Sequence, residues 1–296
     1  MNKRYRAHAA LLGTTLIFGM HYSIAKSMMP GVFTPEQLIF LRLFAGAVLF
    51  WFFERLFVRE KTERRDILKF ALCGVLGFSL NQALFYEGLN LTNPVDASII
   101  HLVNPIIVLI FAHLIIREEI TTAKTVGILL GASGALVLIL YSGTISFRGQ
   151  YALGNLLVLL NTVFYALYLV LIKPLTAKYH TATILKWVSI FGFLFILPFT
   201  FRQALDIRFN TLTPAGWAGL AYIILLNTFV AYLLINFALQ QLTPGVIGYY
   251  SYLQPVIATL LTVSAGQGTI TLPKIVAALL IFAGIWIINR RKAIKG

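Results

Sequence analysis

The sequence predicts an all-α integral membrane protein with ten transmembrane helices, arranged as two inverted five-helix repeats. Three observations predict it. The first is composition: of 296 residues, 59% are hydrophobic and 11% charged, with a mean hydropathy of +0.84. A soluble domain carries about a quarter of its residues as charges, so a chain this apolar has too little polar surface to cover itself in water. The second is internal repetition. Pro94 pairs with Pro244, Pro105 with Pro255, Thr121 with Thr271, Lys124 with Lys274, Val126 with Val276 and Gly134 with Gly284, all at one spacing of 150 residues. A fixed spacing through these landmarks marks two copies of one unit, expected at 8–141 and 151–289. The third is the alternation of Lys/Arg-rich and Lys/Arg-poor loops, which assigns sides to the membrane.

The spans are expected in order at roughly 8–28, 35–56, 67–88, 94–116, 122–141, 151–172, 182–201, 213–238, 245–265 and 272–289. Each is near the ~20 residues a bilayer requires, and each must be helical, because an open strand in lipid leaves backbone groups unpaired. The first follows Lys3, Arg4 and Arg6, like a signal peptide. Its apolar run continues past His21 without a small-residue cleavage pattern, so it is expected as a retained helix. Pro30-Gly31 separates it from the second, and Asn93-Pro94 opens the fourth, which holds Asn104-Pro105 inside it. Arg117-Glu118-Glu119-Ile120-Thr121 precedes the fifth. Ser142-Gly143, Thr213-Pro214 and Pro244-Gly245 mark later boundaries, and Gln254-Pro255 repeats the internal proline in the ninth.

With the N-terminus inside, the inner segments hold Lys3, Arg4, Arg6, Arg55, Arg59, Lys61, Arg64, Arg65, Lys69, Arg117, Lys124, Lys173, Lys178, Lys186, Arg290, Arg291, Lys292 and Lys295. The outer ones hold Lys26, Arg148, Arg202, Arg208 and Lys274. This bias puts both termini in the cytoplasm and explains the net charge of +14 without nucleic acid. Five helices per unit is odd, so the second unit is inverted relative to the first. The single cysteine, Cys73, excludes an internal disulfide and a thiolate metal site. No cofactor or metal is expected.

Two five-helix units, a proline in the fourth helix of each, Glu118-Glu119-Ile120-Thr121 before the fifth, and Gly127, Gly131 and Gly134 along it resemble the drug/metabolite transporter superfamily, specifically EamA-type permeases. Arg42 matches the arginine usual in the second helix of that family, while Phe18 stands where a tryptophan is common and Gly268 where a glutamate is usual. The resemblance covers about 8–140 and 151–289. It implies an inner-membrane carrier of amino acids or related small metabolites, often outward.

The repeat also selects candidate residues, because a face that is polar or aromatic in both copies marks a shared wall. Thr14, Phe18 and His21 share a face of the first helix and correspond to Asn161, Tyr165 and Tyr168 in the sixth. Gln82 and Tyr86 in the third correspond to Tyr232 and Asn236 in the eighth; His101 and Asn104 in the fourth correspond to Ser251 and Gln254 in the ninth. These faces are expected to bind solute in a midplane cavity at the repeat interface, with Pro105 and Pro255 as hinges. A bound zwitterion would be held mainly by hydrogen bonds and helix-end dipoles. Arg42 is read as structural, paired with Glu36 or Glu87, since a charge within a span needs a partner or water.

Two other functions compete with a carrier. An intramembrane enzyme acting on a lipid-soluble substrate needs a nucleophile with a base, or paired carboxylates, at depth, and no such pair stands in the spans. A facilitative channel needs a filter or a ring of like charges. The Gly-Lys-Ser/Thr phosphate loop is missing, so ATP does not drive the protein directly. The expected partners are a small-molecule solute and the lipid bilayer, and the expected state is a monomer or homodimer.

Overall fold

A computed structural model describes residues 3–142, 151–254, 256–257 and 271–290, and no strand occurs among them. The helices are α1 (Lys3–Ser27), α2 (Pro35–Phe57), α3 (Arg64–Leu91), α4 (Pro94–Ile100, His101–Val103 and Asn104–Ile116), α5 (Thr122–Ser142), α6 (Ala152–Thr176), α7 (Thr181–Leu205), α8 (Pro214–Gln241), α9 (opening with Pro244–Tyr249 and Tyr250–Tyr252) and α10 (Leu272–Arg290). By length and composition, six segments can cross a membrane: Pro35–Phe57, Arg64–Leu91, Asp96–Ile116, Ala152–Thr176, Thr181–Leu205 and Pro214–Gln241. Thr122–Val137 and Leu272–Ile288 are shorter apolar helices. Pro255 and the stretch 258–270, which the ninth span and its following loop were expected to occupy, lie outside the described residues.

Local chemistry sets the starts. Thr34 and Gln37 form a reciprocal capping box around Pro35 at the head of α2. Asn93 accepts from the Asp96 N–H at 2.8 Å beside Pro94, and Thr213 from the Gly216 N–H at 3.1 Å beside Pro214. The head of α9 lacks a side-chain cap of its own; Glu118 Oε2 accepts from the Gly245 N–H at 3.4 Å while Glu118 Oε1 pairs with Lys124 at 2.9 Å.

Irregular turns recur at equivalent places. α3 widens into a π-helix at Val75–Leu80, and α8 does so at Tyr222–Val230. Before Pro105, which has no N–H to donate, α4 tightens into a 3-10 turn at His101–Val103; α9 tightens at Tyr250–Tyr252. The C-terminal carbonyls of α3 and the residues after it are capped by Lys26, whose Nζ donates to Leu89, Asn90 and Thr92 at 2.8, 2.8 and 2.9 Å. Lys173 donates to Leu239 and Leu242 at the end of α8. The two lysines are 147 residues apart and their shared targets 150. A cation at the negative end of a helix is favourable, and the bonds satisfy carbonyls that have no partner inside the helix.

The packing pairs α1 with α8, α2 with α7, α3 with α6, α4 with α9 and α5 with α10. Glycines permit the closest crossings. A Cβ on Gly88 would meet the Gly154 carbonyl oxygen at 3.0 Å, and one on Gly154 would meet that of Gly88 at 2.9 Å. Exposed Leu12, Phe44, Phe52, Leu114, Leu129 and Phe199 face outward, while Arg42, Asn81, Asn104, Asn161, Asn227 and Asn236 are buried. Apolar outside and polar inside is the distribution lipid favours. Ion pairs tie the α2–α3 corner to the α6–α7 corner: Lys178 of the turn to Glu63 (2.8 Å) and to Asp66 of α3 (2.5 Å), and Lys186 of α7 to Glu54 of α2 (2.9 Å). Hydrogen bonds from Lys178 and Arg65 hold Glu63 below the usual carboxylate range.

Candidate functional site

A cavity of about 730 Å³, open mouth included, lies where α1, α2, α3, α4, α6, α8 and α9 converge. Of the residues selected from sequence, His21, Gln82, His101, Asn104, Asn161, Tyr165, Tyr232, Ser251 and Gln254 line it. Tyr86, Tyr168 and Asn236 stand behind the wall, all fully buried. Tyr86 accepts from Arg42 at 3.2 Å; Tyr168 and Asn236 bond to each other, with Asn236 Nδ2 donating to the phenol at 3.0 Å. Pro105 is buried at the start of the second half of α4 and is not part of the lining.

Bonds within and between the helices hold the wall. Gln82 Nε2 donates to Tyr232 OH at 2.9 Å and to Asn81 Oδ1 at 2.9 Å. Asn81 and Asn161 donate to each other's backbone carbonyl at 3.1 and 2.7 Å, joining α3 to α6. Asn104 Nδ2 donates to Ser251 Oγ at 3.1 Å, and Tyr22 OH to Gln254 Oε1 at 3.3 Å. His101 Nδ1 is 3.2 Å from the Ala97 carbonyl, which only accepts, so that nitrogen carries the proton. The His21 ring stacks on Phe85 at 5.2 Å between centroids. Phe18, Phe85, Tyr165 and Tyr232 supply aromatic surface.

Arg42 differs from its expected place. It lines the cavity and is 3% exposed, and among the described residues no carboxylate pairs with it; Glu36 and Glu87 do not. Its NH1 lies 3.3 Å from His21 Nε2, its NH2 lies 3.5 Å from the Asn227 carbonyl, and its guanidinium sits about 6 Å from the ring centres of Tyr86 and Tyr232. A guanidinium only donates. His21 Nε2 therefore accepts, and Nδ1 carries the hydrogen. Several buried lining atoms have no protein partner: His21 Nδ1, Asn104 Oδ1, Asn161 Oδ1, and both Asn227 Oδ1 and Nδ2. Asn227, Asn81 and Tyr22 are wall residues that sequence reasoning missed.

The model of the EamA-like transporter family matches residues 6–140 and again 152–290. The chain belongs to the EamA-like transporter family. This EamA-like transporter is similar to the uncharacterized transporter YetK of Bacillus subtilis, at 26% identity over 88% of the chain and 80% of the relative. It is also similar to a probable terminal-alkyne amino-acid exporter of Streptantibioticus cattleyicolor, at 28% identity over 78% of the chain and 76% of that protein. A solved crystal structure shares the fold of the EamA-like transporter with a TM-score of 0.74, at 20% identity, over 96% of this chain and 99% of the other.

Proposed function

We propose that this membrane protein is a secondary transporter, an exporter of amino acids or related small metabolites, working by alternating access. The units 8–141 and 151–289 are taken as inverted five-helix repeats in the inner membrane, with both termini cytoplasmic. The observation that carries the reading is the Gln82–Tyr232 bond: equivalent residues of the two units meet at one cavity wall. Pairing of first with eighth, third with sixth and fourth with ninth helices supports a two-fold relation, as do the matched lysine caps. Inverted units place a site at their interface, and movement of one against the other exposes it to each side in turn. Pro105 interrupts α4 beside this wall and is assigned a hinge role, with Pro255 as its counterpart. The name of the Streptantibioticus relative supports amino acids as one solute class. Counterflow in proteoliposomes tests the proposal. Saturable exchange of one solute, weakened by Gln82→Ala, is expected; absence of exchange across an amino-acid and metabolite panel would count against it.

A further inference from the structure

The one fixed charge among the described lining residues is Arg42, and no Asp or Glu stands with it in the wall. A buried guanidinium without an anion is costly in a membrane interior. Its neighbours do not neutralise it: His21 offers a lone pair and Asn227 a backbone carbonyl. Around it, His21 Nδ1–H and the Asn227 amide are buried polar groups with no protein partner. His21 Nδ1–H and Asn227 Nδ2–H are donors without an acceptor, while Asn227 Oδ1 is an acceptor without a donor. The aromatic faces of Phe85 and Tyr232 flank the same corner of the cavity.

From this juxtaposition we infer that the solute enters as a monoanion: an organic carboxylate whose oxygens take bonds from Arg42, His21 Nδ1 and the Asn227 amide, with an apolar body against the aromatic wall. This rests on the transporter reading of the same cavity and narrows its solute class. A carboxylate supplies two acceptor oxygens to the planar fork of an arginine, and such charge-assisted bonds are about twice as strong as neutral ones. An added ammonium group finds no acidic side chain among the described lining residues, only the amide oxygens of Asn104, Asn161 and Asn227, so a zwitterion of the same shape gains no second ion pair there.

The test uses the full-length wild-type protein in detergent, with binding read from the ligand-dependent rise in melting temperature. The probes are aryl and alkyl carboxylates of amino-acid size, each beside its primary amide and its α-amino acid. The acids are expected to bind about tenfold or more tighter than their amides, and at least as tightly as the amino acids. Arg42→Gln should close the gap between acid and amide, and Arg42→Lys should keep part of it. If Arg42→Gln does not fold, the wild-type comparison stands without it. Amides equal to acids, amino acids tighter than both, or no carboxylate binding would overturn the inference. Counterflow of a neutral or zwitterionic solute alongside those results would leave the transporter reading standing; no transport of any solute would remove that reading instead.

Discussion

Gln82 and Tyr168 were selected on the same sequence grounds, yet the structure gives them different work. Gln82 lines the cavity and holds Tyr232. Gln82→Ala is expected to raise the half-saturating solute concentration by about tenfold, for roughly one lost bond to a polar solute, at near wild-type yield. Tyr168 is fully buried, its ring against Gly77 and its hydroxyl on Asn236. Tyr168→Ala should cost ~3–5 kcal/mol of stability, and Tyr168→Phe only ~1 kcal/mol; unfolding in detergent distinguishes the two. The reason for the split is axial. Spacing of i, i+4, i+7 fixes an angle around a helix, so the face Asn161–Tyr165–Tyr168 was legible. It does not fix depth: Tyr168 lies roughly 10 Å along the axis from Asn161, beyond the lining. The partner of Arg42 was illegible for a related reason, since it is set by contacts between α1, α2, α3 and α8 that no local pattern encodes.

The π-helical turns are the elements that sequence pattern did not reveal, because residues of ordinary helix propensity form them. Their effect on the wall is direct. Asn227 and Tyr232 are five residues apart, about 140° around an ideal α-helix, which would put them on different faces. The wide turn at Tyr222–Val230 brings both to the cavity. The closest helix crossings, by contrast, are made at glycines. Gly88→Leu or Gly154→Leu should strongly lower the yield of folded protein, because even a Cβ meets backbone oxygen across the contact. Gly31→Ala, with nothing within 4 Å of the added carbon, should leave it unchanged; size-exclusion profiles after detergent extraction make the comparison. Lys26→Met and Lys173→Met each uncap a helix end, and each should cost ~1–2 kcal/mol with matching effect, as expected of equivalent positions.

For the whole molecule, the apolar composition, the spacing of 150 residues and the helical segments were legible in the sequence, because lipid imposes one solution on the backbone of each span. The pairing of units was legible only as an expectation, since a repeat in sequence does not say which helices touch. Orientation remains a prediction from the Lys/Arg bias. In a Cys73→Ser background, where the buried native thiol is gone, Val32→Cys should react with an impermeant reagent added outside. Lys61→Cys should react only after the membrane is opened. The reverse pattern would invert the assignment. Leu136→Ala, at an exposed outward position, should change neither transport nor yield appreciably.

The Arg42 guanidinium in the wall has an electrical consequence. Under the alternating access proposed above, that charge sits at the potential of whichever side the cavity faces. Loaded with a monoanion, the site is neutral and its reorientation carries no charge across the field. Empty, it carries one positive charge. An inside-negative voltage then draws the empty carrier inward, by ~2.3 kcal/mol per 100 mV, and leaves the loaded step alone. Net efflux from proteoliposomes should therefore speed up when a potassium diffusion potential makes the lumen negative, with the protein inserted in its native sense, while one-for-one exchange of the same solute should not respond to voltage.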